Sequence, residues 1–65
     1  MEGYIKFFNP MKGFGFIKSE EKEYFFHISD VDREDANSIE QEVKVEFETT
    51  PHPKGEKAIN VKVIK

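Results

Sequence analysis

Apolar and polar residues alternate, or nearly so, in five short runs of the chain, and a period of two is the signature of half-buried β-strands. The first run covers Glu2 to Asn9 and contains Tyr4, Ile5, Phe7 and Phe8. Asn9-Pro10-Met11-Lys12-Gly13 then reads as a turn, the proline holding one φ angle and the glycine accepting a sterically difficult one. Phe14 to Ser19 forms a second strand, Glu20 to Glu23 a charged turn without glycine, and Tyr24 to Ile28 a third strand. In a fourth, Val43, Val45 and Phe47 alternate with Lys44, Glu46 and Glu48; in a fifth, Ile59, Val61 and Val63 alternate with Asn60, Lys62 and Ile64. Thr50-Pro51-His52-Pro53-Lys54-Gly55 separates these two as a loop. Ser29 to Glu42 breaks the pattern and predicts a long loop with one helical turn near Asp32 to Ala36, Asp32 acting as N-cap. A segment of fewer than ~12 residues is too short to hold an isolated helix.

Three strands in a meander and two more after a long connection predict an all-β fold: a five-stranded antiparallel Greek-key barrel. A sandwich needs about seven strands. At 65 residues the chain is expected to form one small domain, residues 1–65, and with no cysteine it has no disulfide to staple it. Closing the sheet also removes its edges. A small core, a glycine-free charged turn and a long polar loop together predict modest stability.

The nine aromatic residues exceed what one such core can hold. Phe14 and Phe16 share a face of the second strand while Ile17 takes the other; Phe25 and His27 share a face of the third while Tyr24, Phe26 and Ile28 take the opposite one. With Ile17, Tyr24, Phe26 and Ile28 inside the barrel, Phe14, Phe16, Phe25 and His27 form an outer platform flanked by Lys6 and Lys12. An apolar patch of this kind on a monomer marks an interaction surface. Flat rings bordered by lysines suit unpaired bases, each of which offers a π face worth about 1–3 kcal/mol when stacked. A second copy of the chain covering the same face is the structural alternative.

Charge changes where such a surface can lie. The net charge of −3 argues against a nucleic-acid footprint, which is ordinarily basic. The acidity is segregated, however: residues 1–19 carry +2, residues 49–65 carry +3, and residues 20–48 carry −8. A weakly positive surface built from the two ends remains, with stacking as the main source of affinity.

Lys12-Gly13-Phe14-Gly15-Phe16-Ile17 matches the ribonucleoprotein pattern K/R-G-F/Y-G/A-F-V, and Tyr24-Phe25-Phe26-His27-Ile28 looks like its companion. Preceded by Gly3-Tyr4-Ile5-Lys6-Phe7-Phe8-Asn9, these blocks resemble the cold-shock domain family along the whole chain. The resemblance implies a barrel of the OB type that binds single-stranded RNA and DNA, leaning towards pyrimidines, and acts as an RNA chaperone or cold-shock-type regulator. It implies stacking roles for Phe14, Phe16, Phe25 and His27, backbone or base contacts from Lys6 and Lys12, a platform extended by Phe7 and Phe8, and a hydrogen bond from Asn9 at its edge. Ile28 and Lys54 are secondary candidates. Strict alternation sets Phe7 beside core-facing Ile5, so Phe7 joins the platform only if the first strand bulges or coils. The family usually has tryptophan where Phe7 stands, phenylalanine where Ile28 stands and an aromatic near Ala36. These departures imply weaker binding than in a typical member.

Other chemistry finds little support. His27 and His52 are far apart in sequence and carboxylates lack ligand spacing, so no metal or cofactor is expected. Ser19, Ser29 and Ser38 have no nucleophile context, and Gly13-x-Gly15 continues into a strand rather than a helix, unlike a dinucleotide fingerprint. A non-enzyme is expected, without a small-molecule substrate. No membrane segment or leader-like stretch is read, so a soluble, cytoplasmic and monomeric protein is expected. The alternative function is an OB-like protein-interaction or dimerisation module using the same face. The acidic run Asp30, Asp32, Glu34 and Asp35 reads as a solvated loop.

Overall fold

The period-two segments form five strands: β1 Glu2–Asn9, β2 Phe14–Ser19, β3 Lys22–His27, β4 Lys44–His52 and β5 Gly55–Val63. The computed structural model describes residues 1–53 and 55–64. The strands close into a barrel in the order β1-β2-β3-β5-β4. Four of the seams are antiparallel, as expected, but β3 meets β5 in parallel at Phe25 and Lys57. A closed ring of five strands cannot alternate direction at every seam, so one seam must be parallel, and the long connection from β3 to β4 places it between β3 and β5.

The core consists of Ile5, Ile17, Tyr24, Phe26, Val31, Ile39, Val45, Phe47, Ala58 and Val61. Ile28 packs against it only partly buried, at the start of a 3-10 turn over Ile28–Asp30 rather than at the end of the third strand. Alternation fails in β5. Ladder pairs run from Glu46–Lys62 to Glu48–Ile59, so two residues, Asn60 and Val61, face one, Phe47. Asn60 absorbs the extra residue with a φ of 51°, a left-handed conformation that asparagine tolerates better than most residues. The bulge buries both Ala58 and Val61 and leaves Ile59 half-buried, where a regular strand sets Ile59 and Val61 on one face.

The irregular segment is docked rather than solvated. Its expected turn is a 3-10 helix over Arg33–Ser38, with the Asp32 side chain accepting from Glu34 N–H at 3.1 Å. Val31 bridges to Val61, and Asp32 N–H donates to Val61 C=O at 2.8 Å. Two members of the acidic run depart from the solvated reading. Asp30 pairs with Lys57 at 2.7 Å, and Asp35, only 5% exposed, accepts from Val63 N–H at 3.0 Å. A buried carboxylate that satisfies a strand-end N–H fastens the segment to β5. Asp35→Ala is therefore expected to lower stability by about 1–3 kcal/mol, the range for leaving a buried donor unsatisfied. A urea midpoint equal to that of the wild type contradicts this.

Candidate nucleic-acid interface

The outer face begins with an irregularity in β1. Tyr4 faces Lys18 and Ile5 faces Ile17, after which Phe7, not Lys6, faces Phe16. The bulge at Lys6 reverses the parity of the strand, so Phe7 shares a face with Phe16 and Phe8 falls opposite Gly15. Phe7 is 46% exposed, and its ring centroid is 6.2 Å from that of Phe14. This is the condition under which Phe7 lies beside the platform rings.

Across β2 and β3 the ladder sets Phe14 against His27 and Phe16 against Phe25. Phe14 and Phe25 are 5.9 Å apart and tilted by 29°, while Phe16 stands edge-on to both, at 6.4 Å and 87° to Phe14 and 6.1 Å and 70° to Phe25. These spacings fall in the preferred range for aromatic pairs. The rings hold each other in place, yet all three remain only partly buried.

Glycine permits this arrangement at Gly15. A Cβ there would come within 2.2 Å of Phe7 C=O and 2.8 Å of the Phe26 ring. The missing side chain lets β1 and β2 approach closely while Phe26 fills the interior beneath. Phe8 lies on this inner side: its ring stacks on Phe26 at 5.9 Å and 13°, and it packs against the core while partly exposed. Phe8 and Ile28 therefore border the platform from its core side.

The loop between β1 and β2 carries Lys12. Asn9 Oδ1 accepts from Met11 N–H at 3.0 Å and Lys12 N–H at 3.2 Å, and Gly13 N–H donates to Asn9 C=O at 2.8 Å. With a φ of 72°, Gly13 completes the turn and then accepts from Ile28 N–H at 2.7 Å. Asn9 thus sets the loop, and Lys12 lies exposed at the rim.

His27 has an oriented ring. Ser29 N–H donates to its Nδ1 at 3.1 Å, with Ser29 Oγ 2.9 Å from the same atom. A backbone N–H can only donate, so Nδ1 is the acceptor and a neutral ring carries its proton on Nε2. The platform consequently includes one N–H donor beside its hydrocarbon rings.

Lys6 is engaged. Its Nζ lies 2.8 Å from Glu23 Oε2. The hydrogen bond and the opposite charge raise the Lys6 pKa and lower that of Glu23, so both stay ionised over the neutral range. An open cleft of about 600 Å³ runs over the platform, lined by Lys12, Phe14, Phe16, Phe25 and His27. Glu23, His52, Gly55 and Glu56 complete its wall. Sequence reasoning did not select these four. His52 sits between two prolines in a segment read as a loop, and only the length of β4, which runs on through Pro51 and His52, brings it here. Lys54 lies outside the described residues. Among the described residues no group of three or more His, Asp or Glu side chains is placed to hold a metal ion.

Comparisons with known proteins agree with this architecture. The family described as "'Cold-shock' DNA-binding domain" matches residues 1–64. The cold shock protein CspA of Staphylococcus saprophyticus is 43% identical over 61 residues, covering 92% of this chain and 92% of the relative. The cold shock-like protein CspI of Escherichia coli is 41% identical over 63 residues, covering 94% and 90%. Among solved structures, drosophila Unr CSD456 superposes with a TM-score of 0.76 at 27% identity over 98% of this chain, which spans 26% of that longer one. With the match running through the β1 bulge, the paired motifs of β2 and β3 and the closing strands, the chain belongs to the cold-shock domain family.

Proposed function

We propose that this protein binds single-stranded RNA and DNA by stacking unpaired bases on the outer rings of β1, β2 and β3, and acts as an RNA chaperone or cold-shock-type regulator. The observation that carries the reading is the set Phe7, Phe14, Phe16 and Phe25, four rings on the outer face of a barrel whose core is already filled. Capture of a frayed strand balances two similar quantities. Opening a DNA stacking step takes about 1.4 kcal/mol on average, and each base stacked on protein returns about 1–3 kcal/mol. Weak hairpins are then disfavoured while long duplexes persist, without consumption of a nucleotide. The protein acts by binding rather than by catalysis, as a monomer in the cytoplasm, with a modest lean towards pyrimidines. The smaller ring at Phe7, Ile28 at the platform's core side and Ala36 in the 3-10 helix support an affinity below that of a typical family member.

Titration of a labelled oligo-dT or oligo-U by fluorescence anisotropy at low salt tests the reading. Saturable binding that weakens in Phe16→Ala is expected. Absence of saturable binding at micromolar protein counts against it, and self-association in sedimentation without nucleic acid favours a dimerisation module instead.

The Lys6–Glu23 pair supports a second expectation. Phosphate and Glu23 compete for the same ammonium, so Glu23→Gln is expected to tighten binding several-fold. It is also expected to steepen the salt dependence by about 0.7 in slope, the increment for one further phosphate contact on a single strand. Titrations at three or four salt concentrations measure both, and an unchanged slope contradicts the competition.

A further inference from the structure

We propose that His52 forms a further base-stacking subsite beyond Phe25, and that Glu56 makes this subsite favour a base carrying an exocyclic amino group. The proposal rests on the single-strand reading above and adds to it a residue and a base class.

Strand pairing positions His52. β4 and β5 face each other at Pro51–Glu56 and His52–Gly55, while β5 also pairs in parallel with β3 at Phe25–Lys57. The end of the β4–β5 hairpin is therefore carried over β3, and the His52 ring comes to 6.2 Å from Phe25 at a tilt of 30°. Phe14 and Phe25 stand in nearly the same relation, 5.9 Å and 29°. Phe14, Phe25 and His52, from three strands, are thus linked ring to ring through Phe25, with similar spacing and interplanar angle at each contact. A single strand crossing β2 and β3 meets a third flat face at the next step. His52 is exposed, as a stacking ring must be.

The surroundings set the base class. Gly55, opposite His52, borders open space: a Cβ built there meets nothing within 4 Å. The adjacent Glu56 is exposed and lines the same cleft. A carboxylate repels phosphate and only accepts hydrogen bonds, so the group it favours is a base edge with donors. The N4 amino group of cytosine and the N6 amino group of adenine supply them, and Glu to cytosine N4 is an established pairing. Thymine and uracil flank their one imino hydrogen with carbonyl oxygens, which face the carboxylate with like partial charge. Glu23, the other carboxylate of the cleft, is tied to Lys6.

The test uses labelled oligo-dC and oligo-dT of about seven nucleotides, within the range bound by one OB fold. Anisotropy is measured with the wild type, His52→Ala, His52→Phe, Glu56→Gln and Phe16→Ala, with circular dichroism melts showing that each is folded. His52→Ala is expected to weaken both oligonucleotides by about fivefold or more, the lower bound for one stacked base. His52→Phe should retain wild-type affinity. Glu56→Gln should lower the ratio of oligo-dC to oligo-dT affinity by about threefold or more; taking the ratio cancels the gain both strands make from losing a negative charge. His52→Ala binding like the wild type while Phe16→Ala is weakened overturns the subsite and leaves the single-strand reading standing. An affinity ratio unchanged by Glu56→Gln overturns the base preference. A wild-type chain that binds neither oligonucleotide overturns the single-strand reading itself.

Discussion

Replacing Phe16 and Phe25 together by alanine is expected to weaken single-strand binding by about thirtyfold or more, while the protein still folds and melts cooperatively. Each ring stacked on a base is worth about 1–3 kcal/mol. The two rings contact each other at 6.1 Å, so their losses are coupled and their sum is an upper bound. Removing both also withdraws the support they give Phe14, edge-on from Phe16 and stacked from Phe25. Lys6 does not compensate in full, because Glu23 holds it. Stability suffers less. Both rings are partly exposed on the outer face, and what the fold loses is their contacts with each other, with Phe14 and with His52, toward the low end of about 0.5–1.5 kcal/mol per aromatic pair because solvent reaches them. Anisotropy titration alongside a thermal melt checks both halves. Binding within threefold of the wild type in a folded double variant sinks the platform reading.

Phe26→Ala is expected to do the opposite: it attacks the fold, and binding is lost only because the barrel is lost. Phe26 is adjacent to Phe25 in the chain but points inward, is fully buried, and ranks with Phe47 among the largest enclosed side chains. Phe8 stacks on it from the rim, and Gly15 is bare where its ring passes. Truncating such a ring costs about 3–5 kcal/mol. At roughly 0.05–0.15 kcal/mol per residue, a chain of this length has only about 3–10 kcal/mol in total. The variant should be largely unfolded, or should melt far below the wild type, in far-UV circular dichroism. A shift of only a degree or two contradicts the assignment of Phe26 as the central core ring.

The contrast between these neighbours shows what was legible. Alternation along residues 14–17 and 24–28 separates Phe14, Phe16, Phe25 and His27 from Ile17, Tyr24 and Phe26, because successive side chains on a pleated strand point to opposite faces. The turn at Asn9 to Gly13 and the cap at Asp32 are equally local, each depending on a side chain or φ preference within a few residues. Phe7 was legible only as a conditional, since its face depends on whether β1 takes an extra residue against β2. Alternation misplaced Ile59, because the bulge at Asn60 depends on how β5 registers against β4. Asp30 and Asp35 read as solvated charge because their partners, Lys57 and Val63 N–H, lie far along the chain.

What the sequence by itself determined is the presence and order of the five strands, though not their ends, which face most of their residues take, and, through three ordered aromatic blocks, the family. What only the tertiary structure decided is how the barrel closes: the parallel seam of β3 with β5, the bulges at Lys6 and Asn60, the Lys6–Glu23 pair and the arrival of His52 beside Phe25. The physical reason is range. A pleat is a property of each residue and its neighbours, whereas register and closure are settled by competition among contacts between segments tens of residues apart.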